Sequence, residues 1–218
     1  MSELSLPQVI VVSILPILFA ITVHEVAHGW VAKRFGDPTA QRLGRLTLNP
    51  FKHIDPIGTV LIPALLLLLK AGFLFGWARP VPVTWENLRH PKRDMVFVAI
   101  AGPVANLLMA FFWGAVAKFA TALPASADWA AVPLQLMGEI GITINVLLMV
   151  FNLLPLPPLD GGRVAVGLLP GPLAWQLSRV EPYGFFILLG LMAFGVLWFI
   201  IQPFTNFMTG LVHWVVGL

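Results

Sequence analysis

The sequence predicts an all-α polytopic membrane protein with about five to six transmembrane or re-entrant segments. Three observations carry this. Of 218 residues, 58% are apolar and 11% are charged, where a soluble domain carries about 25% charged residues. The mean hydropathy is +0.88. Ten of the thirteen Lys and Arg fall between Lys33 and Arg93, in loops between apolar runs, which reads as membrane orientation and not as a nucleic-acid footprint. No nucleic-acid partner is expected; the lipid bilayer is. The chain has no cysteine, so any metal must be held by His, Asp or Glu.

The first apolar segment, about 6–32, is too long for a cleaved leader and reads as a retained spanning helix. The loop from its end to His53 holds Lys33, Arg34, Arg42, Arg45 and Lys52 against Asp37 alone. That bias places the loop in the cytoplasm and the N-terminus outside. Residues 54–83 are apolar but carry Pro56, Gly58, Pro63, Lys70 and Gly72, and the loop after them is basic again. A single crossing would put that loop outside, so 54–83 is expected to leave and return to one face, with 76–83 as a re-entrant loop or hairpin. A helix over about 95–123 then reaches a loop whose only charge is Asp128, read as external. The segment about 131–160 returns inward, its helix broken by Pro155, Pro157 and Pro158. Residues 183–201 read as an outward span, and 204–218 are short for a crossing and expected to lie in the interface or insert partly. The whole chain, 1–218, is expected to form a single membrane-embedded domain with core helices about 6–32, 95–123 and 131–160.

Inside the first helix stands His24-Glu25-Val26-Ala27-His28, an H-E-x-x-H run. Positions i and i+4 share a helix face, so both imidazoles can reach one metal while Glu25 stands beside its open coordination position, the arrangement a zinc hydrolase requires. Interfacial anchoring or a proton path would also use such residues, but three costly intramembrane groups within five positions call for a shared partner. A catalytic zinc needs a third protein ligand, and Asp160 and Glu139 are the candidates. His28 precedes Lys33 by five residues, about 7 Å of rise, and Asp160 precedes Arg163 by three. Glu139 lies about 20 Å towards the outer face, so depth selects Asp160. Its other reading, a cap on the next helix, stays open.

These motifs resemble the site-2 protease family, zinc metalloproteases that cut peptide bonds within membranes. His24 to His28 match its H-E-x-x-H, and Asn152, Pro155, Leu159, Asp160 and Gly161 match its N-x-x-P-x-x-x-L-D-G; Ala101-Gly102-Pro103 and Asn106 look like its middle core helix. The resemblance is to compact members without PDZ or CBS domains. It implies His24, His28 and Asp160 as ligands of one Zn2+ per chain, Glu25 as the catalytic acid-base group, and regulated intramembrane proteolysis of transmembrane protein or peptide substrates. The position of the first helix in the chain and the 54–83 excursion depart from the minimal core.

An integral protein of the plasma membrane, multi-pass, with its active site near the cytoplasmic side, is therefore expected. Asn152 and Asn106 are expected to bind the unwound substrate backbone, or else to bond between helices, and 77–83 to offer it an edge by strand addition. His53 reads as a cap of the following segment, or else as a neighbour or alternative ligand of the metal; His90 and His213 read as surface or interfacial, with no partner in their local sequence. The alternative from another class is a membrane ion or metal transporter using the same His, Glu and Asp cluster. A metalloprotease with Glu as third ligand would need Glu139 or Glu181, and neither lies in a suitable motif.

Overall fold

The computed structural model describes residues 6–70 and 76–218. Among them there is no strand, and the protein is a polytopic all-α membrane protein. The expected outside N-terminus and the turn of the 54–83 excursion fall partly on residues outside the described ones.

Helix α1 (Leu6–Arg34) is 29 residues long. It ends where Gly36 takes φ 115°, a conformation open to glycine without steric cost, and the Asp37 N–H reaches back to Ala32 O at 2.9 Å. This closes the last turn in the manner of a Schellman motif, with Lys33 and Arg34 at the negative end of the helix dipole. Three helices are long and apolar enough to cross a membrane: Pro7–Arg34, Pro91–Thr121 and Ala125–Asn152. We label Pro56–Leu68 α2, Pro91–Thr121 α3 and Asp128–Asn152 α4. Then follow α5 (Asp160–Leu168), α6 (Gly171–Ser178), α7 (Glu181–Ala193) and α8 (Val196–Val216).

Helices α1, α3 and α4 form the centre of the molecule. Lipid gives apolar side chains no reason to prefer protein over tails, so spanning helices associate through small residues that admit close approach. Here a Cβ at Gly138 would lie 2.6 Å from Ala117 Cβ, and one at Gly141 2.2 Å from the Trp113 ring. Trp113, Ile142, Val146 and Met149 fill the space this creates, and Ile201 and Val212 of α8 close it from the side. Leu197, also on α8, belongs to the same cluster.

Three expectations are corrected. The helix expected within about 131–160 does break ahead of the prolines, but its bounds are Asp128–Asn152, and Asp160 opens the separate helix α5. Residues 183–201 are not one straight span. The chain bends by 84° between α7 and α8, at Gly195 with φ 71°, a backbone state no helix interior tolerates. The C-terminal residues extend the helix that starts at Val196, so α8 has 21 residues and buries Val212 completely against the core. Counted with α7 it makes a fourth, broken span.

Candidate metal centre

His24 and His28 project from the same face of α1, one turn apart, with ring centroids 4.6 Å from each other. Asp160 arrives from the first turn of α5. The tight fold of the preceding loop brings it there: a Cβ at Gly161 would lie 2.2 Å from Leu153 O, and one at Gly162 2.2 Å from Pro157 N. Only glycine lets the loop pass so close to the helix start. Asp160 Oδ2 then stands 3.2 Å from His24 Nε2 and 3.3 Å from His28 Nε2, and the two Nε2 atoms are 3.0 Å apart.

The protons on the rings follow from their other contacts. His28 Nδ1 lies 2.7 Å from Val98 O, and a carbonyl only accepts, so Nδ1 carries the hydrogen. His24 Nδ1 lies 2.6 Å from Asn106 Oδ1 and donates likewise. Each Nε2 therefore turns a lone pair towards the other and towards a carboxylate oxygen that is buried without a hydrogen-bond donor. Such an arrangement calls for a cation at its centre. Tetrahedral ligands about 2.0–2.1 Å from zinc lie about 3.3 Å from one another, and these three atoms fit that spacing. They are the metal-competent group among the described residues. Gly102 of α3 forms the floor: a Cβ there would come within 2.5 Å of His28 Nε2 and 2.6 Å of His24 Nε2.

Glu25 lies beside this centre in sequence, and its Oε2 accepts the Val81 N–H at 2.6 Å. The segment 76–84 is non-helical and held on one side. Trp77 N–H donates to Gly58 O at 3.1 Å, Arg79 N–H to His53 O at 2.9 Å, and Arg45 Nη2 to Arg79 O at 2.8 Å. Alternate residues 77, 79 and 81 thus bond inward, while Pro80 and Pro82 have no N–H to offer on the opposite edge. That edge can only accept hydrogen bonds at those two positions.

The other expected residues divide. Asn106 is fully buried and its amide is engaged by His24 Nδ1, Ala20 O and Asn145 Oδ1, hydrogen bonds that link α3 to α1 and α4. Asn152 Nδ2 donates to Leu148 O on its own helix at 2.9 Å. His53 is buried and its Nε2 lies 2.9 Å from Thr47 O; it is outside the metal-competent group and ends the preceding turn Pro50–Lys52, while the cap of the following helix is Asp55, whose Oδ1 accepts from the Ile57 and Gly58 N–H groups. His213 has a partner after all, Glu139 Oε2 at 3.1 Å, which also ties Glu139 to α8. Sequence reasoning missed Asn145 and Val81. Asn145 carried a signal, as a polar side chain within an apolar span; Val81 acts through its backbone and carried none.

Fold and site together define a polytopic membrane protein with a His-His-Asp group able to hold a metal ion. Comparison with known proteins extends this. Over 195 residues the chain is 42% identical to "Putative zinc metalloprotease YwhC" of Bacillus subtilis, a match covering 88% of this chain and 85% of that one. It is 29% identical over 175 residues to "Putative zinc metalloprotease Rip2" of Mycolicibacterium smegmatis and 32% identical over 144 residues to that of Mycobacterium tuberculosis. These matches cover 80% and 66% of this chain but 64% and 52% of the Rip2 chains. No family model and no solved structure matches. The protein belongs to the zinc metalloprotease family of YwhC.

Proposed function

We propose that the protein is an intramembrane zinc endopeptidase of the site-2 protease family, hydrolysing peptide bonds in or near transmembrane segments in regulated intramembrane proteolysis. The observation that carries this is the position of the metal-competent group. His24, His28 and the neighbouring Glu25 sit on a helix long and apolar enough to span the membrane. His28 is six residues from the end of that helix, about 9 Å along its axis.

In this reading His24, His28 and Asp160 hold one Zn2+ per chain, within a single domain formed by the whole sequence. When bound there, zinc supplies Lewis acidity towards a water and a scissile carbonyl. Glu25 accepts the proton released as the water attacks and returns it to the leaving amine. The hydrogen bond from Val81 fixes one carboxylate oxygen and leaves Oε1 for that proton. An unwound substrate has backbone groups that cost several kcal/mol each if left bare in lipid; the 76–84 segment beside Glu25 is the surface that would cover them, with Asn152 as a further contact. The basic loops support a plasma-membrane protein with its site near the cytoplasmic face.

The test is cleavage of a panel of single-span transmembrane peptides by the protein purified in detergent, with metal analysis. Glu25→Gln abolishes cleavage and keeps zinc. Zinc transport into vesicles that survives Glu25→Gln would instead identify a transporter.

A further inference from the structure

Two asparagines outside the metal-competent group form a chain of hydrogen bonds that ends on a histidine of the site. Asn145 Nδ2 donates to Gly141 O at 2.8 Å. That carbonyl only accepts, so the amide of Asn145 has one possible orientation and its Oδ1 faces Asn106. Asn106 Nδ2 donates to this Oδ1 at 2.9 Å and to Ala20 O at 3.0 Å, and the second acceptor again admits one orientation. Asn106 Oδ1 is left facing His24 Nδ1, which must carry the hydrogen. Both asparagines are fully buried, so water cannot replace a link.

We infer that Asn145 and Asn106 are a positioning relay that fixes the tautomer and ring orientation of His24, so that its Nε2 lone pair is held towards the metal. The inference rests on the zinc reading of the site. The relay starts on α4, passes through α3 and reaches α1, and it therefore couples metal affinity to the packing of the three central helices. Two main-chain carbonyls, Gly141 O and Ala20 O, set its direction. A side-chain amide alone could flip; one anchored on an obligate acceptor cannot do so without burying an unpaired polar pair. Outer partners of this kind typically govern metal affinity by about ten- to hundredfold.

The experiment measures zinc affinity by competition with a chromophoric chelator, the visible spectrum of the Co2+-substituted protein, and the unfolding temperature of the metal-free protein. Asn106→Leu removes the acceptor facing His24 and is expected to weaken zinc binding by about ten- to hundredfold and to alter the Co2+ spectrum. Asn106→Asp keeps an acceptor towards His24 but, as a neutral acid, can donate to only one of Ala20 O and Asn145 Oδ1, and is expected to bind zinc more tightly than Asn106→Leu and more weakly than wild type. Asn145→Leu leaves Asn106 anchored on Ala20 O alone and is expected to fall between; Asn145→Asp, which as a neutral acid can donate to Gly141 O and accept from Asn106, restores the affinity. If Asn106→Leu does not fold, the Asn145 pair carries the test. Leu variants with wild-type zinc affinity and Co2+ spectrum would overturn the relay. So would equal losses in the Leu and Asp variants that track the metal-free unfolding temperature. Failure of the zinc reading looks different: wild type would bind no zinc, or His24→Ala would bind it as tightly as wild type.

Discussion

The backbone N–H of Val81 donates to Oε2 of Glu25 at 2.6 Å, joining groups 56 positions apart. Val81 lies between Pro80 and Pro82, which have no N–H, so residues 80–82 have one donor and the Glu25 carboxylate receives it. Val81→Pro removes the bond while keeping the extended backbone that prolines favour. Zinc content is expected to stay and turnover to drop about ten- to hundredfold. Unchanged turnover in a peptide cleavage assay would mean that Glu25 is oriented without Val81.

Glu25→Gln separates chemistry from metal binding. The amide oxygen can still accept from Val81, so the local structure persists, but the group no longer takes up a proton. Loss of a general base typically costs about 10²- to 10⁴-fold. Turnover should fall in that range with zinc stoichiometry intact by atomic absorption.

Gly102→Ala should do the reverse of what helix propensity favours. Alanine is the better helix former, but its Cβ would come within 2.5 Å of His24 Cε1 and His28 Nε2. The expected result is loss of bound zinc and of cleavage. Gly190→Ala, where the added methyl group meets nothing within 4 Å, is the control and should retain both.

Asp37 should make the connection after α1 acid-sensitive. Burial alone would raise its carboxyl, but donors from the Asn87 and Thr39 side chains and from the Thr84 and Thr39 N–H groups outweigh that and hold it below the usual carboxylate range. A group depressed in the folded state adds stability above its unfolded pKa and loses it as pH falls through the folded value. Thermal unfolding followed from pH 7 downwards should therefore show wild type weakening below about pH 4. Asp37→Asn should be less stable at neutral pH, by about 1–3 kcal/mol, with the acid-dependent loss reduced. Parallel curves for the two proteins would remove Asp37 from this role.

The metal candidates were legible in the sequence because their signals are local or nearly so. His24 and His28 share a face by helix geometry alone, and Asp160 could be ranked above Glu139 by counting residues from basic loop markers. The pairing of Glu139 with His213 agrees with the ranking, since it occupies Glu139 at a different place. The break between α7 and α8 was not legible. Phe194 and Gly195 interrupt no apolar pattern, and hydropathy does not register the left-handed φ that turns the chain.

What the sequence determined by itself was therefore the membrane class, the helices that could cross, and the identity of the three residues able to hold a metal. These depend on composition, period and spacing along one chain. Tertiary structure alone decided that Asn106 bonds to His24, that Asn145 bonds to Asn106, that Gly102 lies against both histidines, and that a proline-flanked N–H donates to Glu25. Each of these is a contact between distant segments made by a main-chain group, an amide of set orientation or a missing Cβ, and none has a pattern that can be read along one strand of sequence.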